Sequence, residues 1–190
     1  MIYKRIPGGI EIVRLFVAID LSPPIKEDMR EAQAAVKATR AKVTLVDPSL
    51  IHITLKFLGE VPESRVAEVC GALREIKMDP FTISVNGISV NNSRNPRVVW
   101  GVIGDRGECG SLFTRIESAL SAIGFPRETR PFTPHATIAR IKVPDPGLLP
   151  AIRPFGTKTF GECRINGFSL KKSTLTPQGP VYENVLEVTW

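Results

Sequence analysis

The sequence predicts an α+β fold of two pseudo-symmetric lobes, each an antiparallel sheet with helices on the outside, flanking a central cleft. Three observations carry this expectation. Strand-period and helix-period segments alternate along the chain with gaps of hairpin length, which argues for mixed elements and antiparallel pairing. The order strand, helix, strand, strand, helix recurs more loosely in the second half. The only two histidines open matching frames, His52-Ile53-Thr54-Leu55 and His135-Ala136-Thr137-Ile138. Chance would place both in an apolar-Thr-apolar frame about once in 10⁴.

Residues 1–12 stand apart, with Pro7-Gly8-Gly9 and no clear period. They are read as an N-terminal extension, with native translation starting at Val13 and residues 13–190 forming a single two-lobed domain. N-terminal mass spectrometry finding Met1 on native protein would overturn that start. Val13 to Ile19 is a buried strand. Ser22 and Pro23 supply an N-cap and a proline at the first helical position, and the helix runs to about Thr39. Val43 to Val46 is a strand, and Asp47-Pro48-Ser49 a turn.

Ile51 to Leu58 alternates strictly. Ile51, Ile53, Leu55 and Phe57 take one face of a strand, His52, Thr54 and Lys56 the other. Gly59-Glu60-Val61-Pro62 ends it, and a second helix covers Pro62 to Ile76. Phe81 to Val90 and Arg97 to Ile103 are strands around the turn-rich loop Asn91 to Pro96. Gly107 to Ile123 is a third helix, closed by Gly124. Arg127 to Pro134 is an irregular basic approach. His135 to Ile141 is a strand with His135, Thr137 and Ala139 on one face. Pro144 to Pro154 is a loop with a short helical turn. Lys158 to Lys172 and Tyr182 to Trp190 are two closing strands.

A chain of 190 residues that is 43% hydrophobic, with mean hydropathy +0.03, fits one globular domain able to bury its core without staples. No apolar run is long enough to span a membrane, and no secretory signal opens the chain. A cytoplasmic monomer is expected. Cys70, Cys109 and Cys163 are odd in number and far apart, which suits buried thiols in a reducing compartment rather than a disulfide framework. The net charge of +6 favours polyanionic partners, although a solubilising surface has the same signature.

In a strand, residues i and i+2 point the same way, about 6.5–7 Å apart. Each frame therefore offers an imidazole and a hydroxyl to one space. Two facing frames surround a small volume with two proton carriers and two neutral donors, which suits a phosphate. In-line displacement at phosphorus needs a base on the attacking side and an acid on the leaving side, and two histidines on opposite walls supply both. No ligand spacing for a metal is present, so neither metal nor cofactor is expected.

The stretches His52-Ile53-Thr54-Leu55-Lys56-Phe57-Leu58-Gly59-Glu60 and Pro134-His135-Ala136-Thr137-Ile138-Ala139-Arg140 closely resemble the signatures of the 2H phosphoesterase superfamily. Arg14 to Ile19 resembles the opening of its RNA 2′,3′-cyclic phosphodiesterase branch, also called the LigT or 2′-5′ RNA ligase family. The resemblance covers nearly all of 13–190. It implies the two-lobed fold with a central cleft and hydrolysis of a terminal RNA 2′,3′-cyclic phosphate to a 2′-phosphate. By the same resemblance His135 is the base acting on water and His52 the acid protonating the departing 3′ oxygen. Thr54 and Thr137 hold phosphate oxygens, and Arg140 contacts the phosphate end of the substrate. Strict alternation places Arg140 opposite His135, so that role needs a bulge or twist. Phe57, by the same alternation, is a core residue, with base stacking as its alternative. Arg130 fits a cleft lining or plain surface equally. Two other functions remain open: 2′-5′ RNA joining by the same groups, and non-catalytic binding of RNA ends.

Overall fold

The computed structural model describes residues 11–190. The expected extension lies outside the described residues except for Glu11 and Ile12, and Ile12 already belongs to the first strand. The elements are β1 (Ile12–Asp20), α1 (Pro23–Lys37), β2 (Lys42–Leu45), β3 (His52–Pro62), α2 (Val66–Arg74), β4 (Phe81–Val90), β5 (Val98–Gly104), α3 (Glu108–Ala122), β6 (His135–Val143), α4 (Leu148–Ile152), β7 (Thr159–Ile165), β8 (Gly167–Thr176) and β9 (Gly179–Thr189). The fold is α+β, as expected. Among the described residues no helix is long and apolar enough to cross a membrane.

The strands make one antiparallel sheet in the order β7-β4-β5-β6-β3-β1-β8-β9, with β2 added to β6. The order is a palindrome of two half-sheets, and β6 and β3 meet at its centre through the single pair Ile53–Ala136. Beyond that pair the edge of β6 is taken by β2, from Leu45 opposite Ala139 to Lys42 opposite Val143. The half-sheets part where the two histidine frames begin, and a cleft opens between them.

The helices interlock the lobes. α1 follows β1 but packs against β6 and β7, while α3 follows β5 but packs against β3 and α2. Ile25, Met29, Ala32 and Val36 form the buried stripe of α1. Met29 lies so close to Gly101 of β5 that a Cβ there would meet its terminal methyl at 2.9 Å. Neither half-sheet can be stripped of its helix without exposing the other's core.

Several boundaries differ from the sequence reading for local reasons. Gly59 does not end β3. It adopts φ +74, and the strand continues to Pro62 against Ile12–Leu15. α2 accordingly starts later, at Val66, after a turn over Glu63–Arg65. Ser22 sits at the α1 N-cap, yet its side chain makes no capping hydrogen bond; prolines at the first helical positions leave fewer orphan N–H groups to satisfy. The expected strand from Lys158 to Lys172 is two strands. Asn166 separates β7, which pairs β4, from β8, which pairs β1, so the chain passes there from one half-sheet to the other. Cys70 and Cys109 are buried as expected, but Cys163 is half-exposed.

Candidate active site

Each histidine opens its strand and is held in the same way. His52 Nδ1 lies 2.7 Å from the Leu50 carbonyl, and His135 Nδ1 lies 2.7 Å from the Thr133 carbonyl. A carbonyl only accepts, so Nδ1 carries the proton in both rings and Nε2 is left to the cleft. In His52, Nε2 is 3.0 Å from Thr54 Oγ1. The rings rest on aromatic neighbours. Phe16 (5.0 Å) and Tyr182 (5.6 Å) flank His52, and Trp100 (4.4 Å) flanks His135. Nothing in the sequence pattern marked Phe16, Tyr182 or Trp100, which come from β1, β9 and β5.

Beyond the threonines the two strands break alternation at the same place. In β3 the pairing with β1 skips Leu55; in β6 the pairing with β5 skips Ile138. Both strands then bury two consecutive residues, Leu55-Lys56 and Ile138-Ala139. The next residue of each is thrown onto the histidine face. Four expectations change. Lys56 leaves the His52 face and is buried. Phe57 leaves the core face and is 69% exposed. Ala139 leaves the His135 face and is fully buried. Arg140 joins His135 and Thr137 through the bulge its role required. Phe57 and Arg140 thus occupy equivalent positions in the two halves.

Long-range partners secure both bulges. Lys56, turned inward, donates to Glu117 Oε1 of α3 at 2.6 Å and to the Pro126 carbonyl at 2.8 Å. Its side chain is 6% exposed and that of Glu117 is 5% exposed. Glu117 Oε2 also accepts from the Glu128 amide at 2.9 Å, which ties the loop before His135 to the first motif strand. On the other side the buried Gln33 of α1 donates to the carbonyls of Ile138 (2.8 Å) and Val46 (2.6 Å). The skipped residue of β6 thereby keeps a partner.

The cleft has two arms that share Thr54, Phe57, Thr137 and Arg140. One, about 370 Å³, runs from His52 past Tyr182 to Thr44, Asp47 and the β8–β9 turn. The other, about 540 Å³, holds His135 and is walled by Trp100, Phe113, Phe132, Arg127 and Arg130. The rings of Phe113 and Phe132 are stacked at 4.5 Å and 6°. Arg130 therefore lines the cleft, but Glu128 pairs with it at 3.1 Å. Hydrogen bonds from the Arg130 side chain and backbone hold the Glu128 carboxyl down at about 2. All five residues singled out in the sequence for the site border one cleft: His52 one arm, His135 the other, and Thr54, Thr137 and Arg140 both.

Burial pushes the His52 imidazole below its ordinary value of 6.5. The Leu50 carbonyl and Asp20 act against that shift; Lys171 and Lys26 act with it. Asp20 is itself paired with Lys171 at 2.8 Å. Burial raises the Tyr182 hydroxyl while Arg140 opposes it, so the phenol remains a donor at the mouth of the His52 arm. No group of three or more His, Cys, Asp or Glu able to hold a metal ion occurs among the described residues.

The chain matches known proteins over most of its length. The profile of the family described as LigT like Phosphoesterase matches residues 19–100 and 105–182. A relative from Archaeoglobus fulgidus named RNA 2′,3′-cyclic phosphodiesterase is 36% identical over 174 residues, covering 91% of this chain and 98% of the relative. One of the same name from Methanocaldococcus jannaschii is 36% identical over 178 residues, covering 92% and 99%. Among solved structures, a Thermus thermophilus protein superposes with TM-score 0.77 at 30% identity over 93% of this chain and 97% of its own. Escherichia coli LigT complexed with 3′-AMP superposes with TM-score 0.76 at 25% identity, covering 94% and 98%. The family match includes both bulged histidine strands and the cleft between them, and the chain belongs to the LigT-like phosphoesterases.

Proposed function

We propose that the protein hydrolyses a terminal RNA 2′,3′-cyclic phosphate to a 2′-phosphomonoester without a metal, His135 acting as the base on water and His52 as the acid on the departing 3′ oxygen. The observation that carries the reading is the matched pair of imidazoles, each locked through Nδ1 with Nε2 turned to the cleft side, that of His52 toward Thr54, on the two walls of a cleft whose shared floor is Thr54, Thr137 and Arg140. The threonine hydroxyls donate to non-bridging oxygens, and Arg140 adds the positive charge that a phosphorane-like transition state draws on. The names borne by the Archaeoglobus and Methanocaldococcus relatives support the substrate.

The deciding experiment is an oligonucleotide ending in a 2′,3′-cyclic phosphate, incubated with the protein in EDTA and resolved by product. A 2′-phosphate end is expected. Loss of turnover in EDTA, or binding without any product, would overturn the reading. The roomy aromatic arm on the attacking side favours one further reaction: a 5′-hydroxyl strand seated there can replace water and give 2′-5′ joining. Ligated against hydrolysed product, measured with such a strand added, separates the two.

The pH profile should carry the mark of His52. An acid must be protonated to work, and burial holds the free protein's His52 below 6.5. The kcat/KM profile, which reports the free enzyme, is therefore expected to fall as pH rises through a value below 6.5. A bound phosphodiester adds negative charge beside the ring and raises its pKa, so the falling limb of kcat should lie at higher pH than that of kcat/KM. Coincident limbs would count against His52 as the acid.

Phe57 presents an exposed ring, 6.0 Å from Phe16, to both arms. A stacked base gains about 1–3 kcal/mol. Phe57→Ala is expected to raise KM roughly tenfold and to leave the melting temperature unchanged, because little of the ring is buried. A lowered melting temperature with unchanged KM would make Phe57 structural instead.

A further inference from the structure

The strand that carries Arg140 continues beyond the cleft, and its outer residues have no part in the acid/base chemistry. After the bulge in β6, Arg140 and Lys142 are exposed on either side of the buried Ile141. On β2, Thr44 lies opposite Arg140 and borders the His52 arm. Val43, next to it, packs against the core. Lys42 and Thr44 are the exposed residues of β2, and where the pairing skips Lys142, Lys42 lies opposite its neighbour Val143. Arg140, Lys142 and Lys42 are all exposed. Among the described residues none of the three is in an ion pair, whereas Lys56, Lys158 and Lys171 are each held by a carboxylate. Three cations thus lead outward from the phosphate-holding floor, spaced by strand geometry at about 6.5–7 Å per two residues. β2 is bonded to β6 alone, so no further strand covers the outer side of this edge.

We propose that this edge is a track for the phosphodiester backbone upstream of the reacting end, and that the site is built for oligonucleotide ends rather than mononucleotides. The inference rests on the proposed cyclic phosphodiesterase reading and deepens it. With the terminal nucleoside in the His52 arm, the end of that arm at Thr44 and Asp47 is the exit for the chain on its 5′ side. Lys42 follows Thr44 outward along β2, and Lys142 follows Arg140 outward along β6. Phosphates are neutralised there with release of counterions, and each contact on a single strand contributes about 0.7 to the slope of log affinity against log salt. Paired cations such as Lys158 and Lys171 contribute less, because a carboxylate already neutralises them.

The test compares a 2′,3′-cyclic mononucleotide with a pentanucleotide bearing the same terminal base and cyclic phosphate. The wild-type protein is expected to show a lower KM for the pentanucleotide, and this advantage should shrink as salt rises. In Lys42→Gln/Lys142→Gln the pentanucleotide KM is expected to rise roughly tenfold and its salt slope to fall by about 1.4. Mononucleotide kinetics should stay unchanged. Arg74→Gln/Lys77→Gln, at the end of α2, removes the same charge far from the track and should do nothing. A wild-type protein indifferent to chain length would overturn the track, and so would a double variant that keeps the pentanucleotide advantage. If neither substrate is turned over, the proposed hydrolysis fails instead. Binding of the pentanucleotide ending in a 2′-phosphate, titrated against salt in both proteins, then decides the track by itself.

Discussion

Alanine at His52 or at His135 is expected to lower kcat/KM on an RNA 2′,3′-cyclic phosphate by about 10²–10⁴ each, with the fold intact by circular dichroism. The two losses should not multiply in the double variant, because the groups act in one concerted displacement. A second substrate separates the roles. A p-nitrophenyl phosphodiester has a leaving group that departs without a proton, so it needs a base but no acid. His52→Ala should retain most of its activity on that ester, and His135→Ala should lose it. The reverse pattern would exchange the assignments. The comparison matters because burial, with Lys171 and Lys26 acting the same way, pushes the free protein's His52 below its ordinary value. The charge of a bound phosphodiester acts the other way and favours the protonated acid. Full activity in either single variant would end the two-histidine mechanism altogether.

The frames, the strands that carry them and the α+β class were legible because they rest on local rules: period-two alternation, proline and glycine punctuation, and a His-x-Thr spacing that puts two side chains on one face. The same alternation misplaced Lys56, Phe57 and Ala139, and it set Arg140 against His135. The bulges that correct it are fixed from far away in sequence. Lys56 is turned inward by Glu117, 61 residues on. The carbonyl of Ile138 is satisfied by Gln33, 105 residues back. No window of sequence contains both members of either pair. The aromatic walls were hidden for the same reason, since Phe16, Trp100 and Tyr182 reach the histidines only through strand pairing. The split between β7 and β8 was within reach, because Asn166-Gly167 is a turn signal.

Lys56 carries the second large expected effect. Its ammonium and the Glu117 carboxylate are both almost wholly buried, and the pair also binds the Pro126 carbonyl and the Glu128 amide. Lys56→Met strands a buried carboxylate and should cost about 3–5 kcal/mol, a large part of the roughly 5–15 kcal/mol that holds a domain together. Lys56→Met/Glu117→Leu removes both charges, and burying apolar side chains in their place is often neutral or stabilising. Its melting temperature should therefore return to near the wild-type value. Activity should not return with it. The Pro126 carbonyl and the Glu128 amide still lack their partners, so the loop that ends at Thr133, whose carbonyl orients His135, is no longer fixed to the first motif strand. A lower kcat in a stable double variant would mean that the ion pair aligns the two halves of the site. Full recovery of both stability and kcat would reduce it to a core contact. The bulge that turns Lys56 inward is the same one that turns Phe57 outward, so one backbone irregularity supplies both the alignment of the second histidine and a wall of the cleft.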